Sequence, residues 1–169
     1  RYTSPDEHPF YQGLPVPILG TLRYEENPLR PNHININARI RAVYETNIVP
    51  AICEEGDDSQ YGSSAVEDVA LLQALSKRIH YGKFVAESKY RGDPEKFRSL
   101  LARRDADELM DAITNPDVER AVLDRVEEKT RTYARECFAR RPAARVSAAV
   151  VADLYARWII PLNKQVQVA

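Results

Sequence analysis

Arg78 and Lys89 are two cations in one run of helical spacing, RIHYGKFVAESKY. At 100° per residue they fall within about 20° of each other, on the stripe that also holds Leu71, Leu75, Gly82 and Val85, and roughly 16 Å apart along the axis. Two flexible cations at the ends of a trough of small residues suit one small dianion. The structural alternative is that both snorkel, or pair with carboxylates of neighbouring helices. Gly82 argues for close approach by some other group, because glycine inside an exposed helix costs about 1 kcal/mol against alanine.

Further polar residues stand near helix ends. Asn115 precedes Pro116 and Glu119 follows one turn later; the local reading is an N-cap and an acid favoured by the helix macrodipole. Asn163 and Gln167, at i and i+4 after Pro161, are amides on one face, and their local reading is a solvated surface. Cations, amides and one carboxylate on three helices, with no nucleophile, suit a reaction that needs only orientation and charge stabilisation. His8, His33 and His80 have no partners at ligand spacing, and neither a Gly-rich phosphate loop nor a G-x-S-x-G elbow occurs, so neither metal nor cofactor is expected. The basic pairs Lys77-Arg78, Arg103-Arg104 and Arg140-Arg141 are scattered, which speaks against a nucleic-acid partner.

The elements that must position these residues read as helices. The long one starts at Ser63 or Ser64, where Ser64-x-x-Glu67 has the capping-box pattern, and runs to about Tyr90; on it His80, Lys83 and Glu87 fall on the side expected to meet water. RGDP ends it. A helix from about Pro94 to Arg103, a short one over DADELMDAI and a long one opening at Asn115-Pro116 follow, and ARRPAA ends the last of these. Ser147 caps the final stretch, which Pro161 should kink or split. Upstream, ININARIRAVYETNIVPAICEE has helical spacing interrupted at Pro50, giving two short helices or one kinked one, and EEGDDSQYG is a loop. The first thirty-odd residues hold six of the eleven prolines and form an extended arm, with Tyr2, Phe10, Tyr11, Leu14, Ile18 and Leu19 docking on the helical body. Neither strand-like alternation nor a repeat is present. The expected fold is all-α, one domain over 1–169, with an arm (1–33) and a multi-helix body (34–169).

Composition bounds the partners. The chain has 169 residues, 44% of them hydrophobic, enough for a real core. Its 24 basic and 25 acidic residues give a net charge of -1, so an anion site must be local, and an anionic membrane is not an expected partner. Cys53 and Cys137 match neither a zinc pattern nor a disulfide framework, which fits a reducing compartment. No apolar run approaches the roughly 20 residues that span a bilayer, and RYTSPDEHPF lacks the features of a signal peptide. The chain starts without methionine and stops inside a helical pattern, as a processed chain or a fragment does.

The segments GSSAVEDVALLQALSKRIHYGKFVAESKY, ITNPDVERAVLDRVEEKTRTYA and VADLYARWIIPLNKQVQV, with YTSPDEHPF and ININ, resemble the all-helical chorismate mutases of fungi and plants over essentially the whole chain. The resemblance implies conversion of chorismate to prephenate, the committed step towards phenylalanine and tyrosine, by an intramolecular Claisen-type rearrangement without a cofactor. It implies that Arg78 grips a substrate carboxylate and Lys89 donates to the ether oxygen. Asn115 would bond near the pyruvyl end, Glu119 would take the ring hydroxyl, and Gln167 would be the second donor to the ether oxygen. Many fungal members have glutamate at the position of Gln167, and glutamine implies activity that persists at neutral pH. Asn163 stands where threonine is usual.

The resemblance also implies a homodimer and regulation by tyrosine and tryptophan at an effector site, where Gly62 and Ser63 match the family's glycine-serine. Gln60 and Val66 depart from the residues common there. The family's subunit begins with a further helical segment carrying another substrate-gripping arginine and ends in an EYLLRRL-like tail. Neither is among these residues, so a catalytically weak or silent dimeric regulatory module is the alternative expectation. The expected location is the cytoplasm or a plastid.

Overall fold

Apolar side chains recurring at helical spacing, with prolines and polar loops between the runs, produce an architecture of helices and connecting loops without a strand among the described residues. The computed structural model describes residues 6–16, 18–20, 26–57, 59–138 and 146–169. In chain order the helices are α1 (Asn37–Val43), α2 (Val49–Ile52), α3 (Tyr61–His80), α4 (Gly82–Gly92), α5 (Pro94–Arg103), α6 (Ala106–Ile113), α7 (Pro116–Phe138), α8 (Ala148–Leu154) and α9 (Ile160–Val168).

Pro50 and Pro161 are handled by the same device. A π-helical turn, Tyr44–Ile48 or Tyr155–Ile159, joins α1 to α2 and α8 to α9, closed by bonds from the Val49 and Ile160 N–H groups to the Tyr44 and Tyr155 carbonyls. Proline cannot donate to the preceding turn and its ring crowds the carbonyl four residues back, so widening that turn lets the helix continue through it. YETNIVP and YARWIIP carry the same spacing of tyrosine, isoleucine and proline. The expected interruptions are therefore local bulges.

Ile40, Tyr44 and Ile48 of the first helical stretch, Leu72, Leu75 and Ile79 of α3, and Leu154, Ile159, Leu162 and Val166 of the last form the main core. Each such side chain contributes about 1.5–3 kcal/mol on burial. Phe97, Leu100 and Ile113 form a second cluster beneath α5 and α6, with Tyr90 and Val168 packed on it. By contrast α7 contributes no buried side chain over 116–135 and packs chiefly against α8.

Several expectations need correction. The helix of residues 61–92 begins at Tyr61, and the Ser64 N–H already bonds the Gln60 carbonyl, so Ser64 and Glu67 lie inside it and form no capping box. It is also broken at Tyr81. Lys83 does not face water: it is buried and its Nζ lies 2.7 Å from Asp6 of the arm. His80 is half-buried, with Nε2 accepting the Ile36 N–H at 3.0 Å and Nδ1 against the Ser76 carbonyl at 2.9 Å. Phe10 and Tyr11 pack on the core as expected, helped by a 2.8 Å bond from the Phe10 N–H to Gln73 Oε1, but Leu14, Ile18 and Leu19 are exposed. Tyr2 lies outside the described residues. Asp93, Asp105 and Ser147 cap α5, α6 and α8 with their side chains, the last as expected.

Candidate active site

Where helix α9 crosses the break between α3 and α4, it comes so close that a Cβ on Gly82 would stand 2.6 Å from the Asn163 carbonyl oxygen. Gly82 is thus the contact point of two helices. The trough expected between Arg78 and Lys89 is therefore occupied at Gly82 by α9. That contact sets the side chains on either side. Asn163 Nδ2 donates to the Arg78 and Ile79 carbonyls at 3.2 and 3.0 Å, and Asn163 Oδ1 accepts from Gln167 Nε2 at 2.8 Å. Gln167 Oε1 in turn accepts from Lys89 Nζ at 2.9 Å. Lys89 also donates to the carbonyl of Ile113 at the end of α6, where helix carbonyls lack intrahelical partners and carry partial negative charge.

These bonds join α3, α4, α6 and α9 in one series running from Arg78 through Asn163 and Gln167 to Lys89. An ammonium has three donors and a carboxamide NH₂ two. Lys89 therefore keeps one donor, and Gln167 one, beyond the bonds described. Burial pushes the Lys89 ammonium below the ordinary lysine range, with the like charge of Lys164 adding to the effect and Glu119 opposing it.

Glu119 sits on the first turn of α7, with its Oε1 3.0 Å from Lys164 Nζ on α9. Asn115 is exposed, and its Oδ1 accepts the N–H groups of Asp117 and Val118 at 3.1 and 3.2 Å, capping α7 as its local sequence requires. Neither Asn115 nor the Arg78 side chain bonds to the Lys89 group. Arg78 instead stands at the wall of an open cleft of about 600 Å³ between α3, α7 and the last helical stretch, its guanidinium 5.7 Å from the centre of the Tyr155 ring. Lys77, Arg78 and Arg125 line that cleft with Tyr81, Val122 and Asn163, and among the described residues no carboxylate lines it. Lys77 reaches Glu7 of the arm at 3.8 Å. An apolar-walled cleft with cations alone on its rim focuses positive potential and favours an anion.

The family described as chorismate mutase type II matches residues 61–168, which include Arg78, Lys89, Asn115, Glu119, Asn163 and Gln167. The chain belongs to the type II chorismate mutase family. Chorismate mutase 1, chloroplastic, of Petunia hybrida is 48% identical over 177 residues, covering 99% of this chain and 54% of the relative. The chorismate mutase of Schizosaccharomyces pombe is 43% identical, covering 99% of this chain and 67% of its own length. A crystal structure of AtCM1 with tyrosine bound in its allosteric site superposes with a TM-score of 0.82 at 48% identity, over 98% of this chain and 66% of that one. The chain thus spans about half the length of the first of these curated relatives.

Within this chorismate mutase fold, sequence reasoning missed Lys164, Arg125 and the partnership of Lys83 with the arm. Lys164 lies between Asn163 and Gln167, one position off the amide face, and nothing local reveals that Glu119 lies opposite. Gly62 and Ser63 occupy the exposed first turn of α3, and a Cβ on Gly62 would meet nothing within 4 Å. The neighbouring Tyr61 hydroxyl donates to Asp57 of the preceding loop, which holds that carboxyl below its ordinary range together with the Ser59 N–H. Among the described residues no helix is long and apolar enough to cross a membrane, and no cluster of three or more His, Cys, Asp or Glu is placed to hold a metal.

Proposed function

We propose that this chain is the catalytic body of a chorismate mutase, a single domain comprising the arm and the helical body, which rearranges chorismate to prephenate. The carrying observation is the series of bonds from Lys89 through Gln167 and Asn163 to the backbone of Arg78, beside a cleft whose charged lining is cationic. Chorismate is a small dicarboxylate that must be held in a compact pseudo-diaxial shape, while its breaking ether bond builds negative charge on oxygen. Two things are therefore required: clamps for the carboxylates, and donors fixed at the oxygen before reaction.

Arg78 is the clamp at the cleft. Lys89 is the donor to the ether oxygen, and the Ile113 carbonyl and Gln167 Oε1 hold its ammonium so that the remaining proton is directed without reorganisation. The second N–H of Gln167 is the other donor. Glu119 takes the ring hydroxyl through the oxygen that Lys164 leaves free, Asn115 bonds near the pyruvyl end through its NH₂, and Asn163 aligns Gln167. Electrons move within the substrate only, so no residue transfers a proton.

The test is the loss of chorismate absorbance with the whole protein that contains this chain. Lys89→Ala is expected to lower kcat by about 10²- to 10³-fold, the effect of removing one preorganised donor, with little change in Tm. With glutamine at 167, kcat/KM is expected to stay level between pH 5 and 7. Binding of chorismate without conversion would instead make this a regulatory module. We further propose a homodimer with an effector site for tyrosine or tryptophan at Gly62 and Ser63, in the cytosol or a plastid. The tyrosine seen in the allosteric site of a relative supports the effector class. Calorimetric titration with tyrosine, and its absence in Gly62→Arg, checks it.

A further inference from the structure

We infer that Lys164 is a positioning residue of this site: from α9, whose Gln167 also holds Lys89, it pins the Glu119 carboxylate of α7. The inference deepens the proposed mutase reading and rests on it.

Helix α7 has no buried side chain over 116–135, so burial does not fix where its first turn stands relative to α9. The Lys164–Glu119 contact, at 3.0 Å, is the only side-chain hydrogen bond between α7 and α9 among the described residues. Both side chains are largely withdrawn from solvent, at 20% and 32% exposure, so the pair is screened less than a surface pair. With Oε1 held by Lys164, Glu119 keeps its other oxygen wholly open to accept from a ligand, which favours a substrate presenting a hydroxyl donor beside its anionic groups. Lys164 thus turns a helix-end acid into an oriented acceptor.

The same ammonium acts on Lys89. The charged groups that bear on Lys89 are Lys164 from α9 and Glu119 from α7, of opposite effect, on top of its burial. A more acidic ammonium is a stronger donor to an oxygen gaining charge. The cost is that Lys89 loses its proton at lower pH than an ordinary lysine. Removing Lys164 withdraws the like charge and leaves Glu119 free to attract Lys89, and both changes move the Lys89 titration upward.

The experiment measures kcat and KM for chorismate against pH in the whole protein, with wild type, Lys164→Met and Lys164→Arg. Lys164→Met is expected to move the alkaline limb of kcat/KM to higher pH, to lower kcat and to raise KM, together reducing kcat/KM about tenfold or more at pH 7. Lys164→Arg restores the limb and most of the rate. An NMR titration of the Lys89 ε-methylene reads the same upward shift in Lys164→Met without turnover. A fall in activity with the alkaline limb and the NMR titration both unmoved would overturn the inference and leave Lys164 merely structural. A wild-type protein that does not convert chorismate sinks the mutase reading, and an NMR titration that still moves keeps the Lys164–Lys89 coupling apart from that failure.

Discussion

At the scale of single residues, the polar groups of this chain take their roles from partners far along the sequence. His80 lies on the helix that carries Arg78, and the Ile36 N–H points at its Nε2, so the ring is neutral in the fold. Burial pushes its pKa below the usual 6.5, reinforced by Lys83 and His8 and opposed by the Ser76 carbonyl and Asp6. A histidine held neutral stabilises the fold fully above about pH 6.5, and that stability is lost as pH falls through the lowered native value. We expect Tm to drop between pH 7 and 5, and the drop to flatten in His80→Gln, whose amide oxygen still accepts from Ile36. Equal slopes in scanning calorimetry would remove His80 from the account. Lys83 illustrates why such roles were hidden. Helical phase assigned it to water, and the burial comes from Asp6, in an arm whose sequence shows only that it is not helical.

At the scale of elements, much more was legible. Proline, Asn-Pro and Ser caps are local chemistry, and so α5 begins at Pro94, α7 at Pro116 and α8 just after Ser147, as the sequence implies. What local signals could not supply was the manner of crossing. Gly82 pointed to close approach, and only the packed structure identifies the visitor as the backbone of α9 at Asn163. That origin makes a distinct prediction. Gly82→Ala places a methyl against an unyielding carbonyl and should cost about 1–3 kcal/mol, with Tm falling about 2–4 °C per kcal/mol. Because Asn163 aligns Gln167, and Gln167 holds Lys89, kcat should fall as well. A stable, fully active Gly82→Ala would mean that the helices slide apart without disturbing the series. The paired π turns ahead of Pro50 and Pro161 were legible only as interruptions, since a proline announces a missing donor without revealing how the chain absorbs it.

At the scale of the whole molecule, a net charge of -1 conceals a cleft rimmed by Lys77, Arg78 and Arg125. Composition implies that any anion site must be local, and three cations separated by up to 48 positions converge only in the fold. The two sides of that cleft are unequal. One is α3, with Leu72, Leu75 and Ile79 in the core; the other is α7, with nothing buried over 116–135. Amide hydrogens on such an element should exchange through small local openings, and those of 72–79 only through near-global ones. Hydrogen-exchange mass spectrometry is expected to show residues 116–135 deuterated well before 72–79, and equal protection would mean that α7 is held by more than its visible contacts. If exchange follows that order, the protein is mechanically lopsided: a firm anvil, α3, carries Arg78, and a loosely hung plate, α7, carries Glu119. Capturing a ligand between them should slow exchange on the plate while leaving the anvil nearly unchanged.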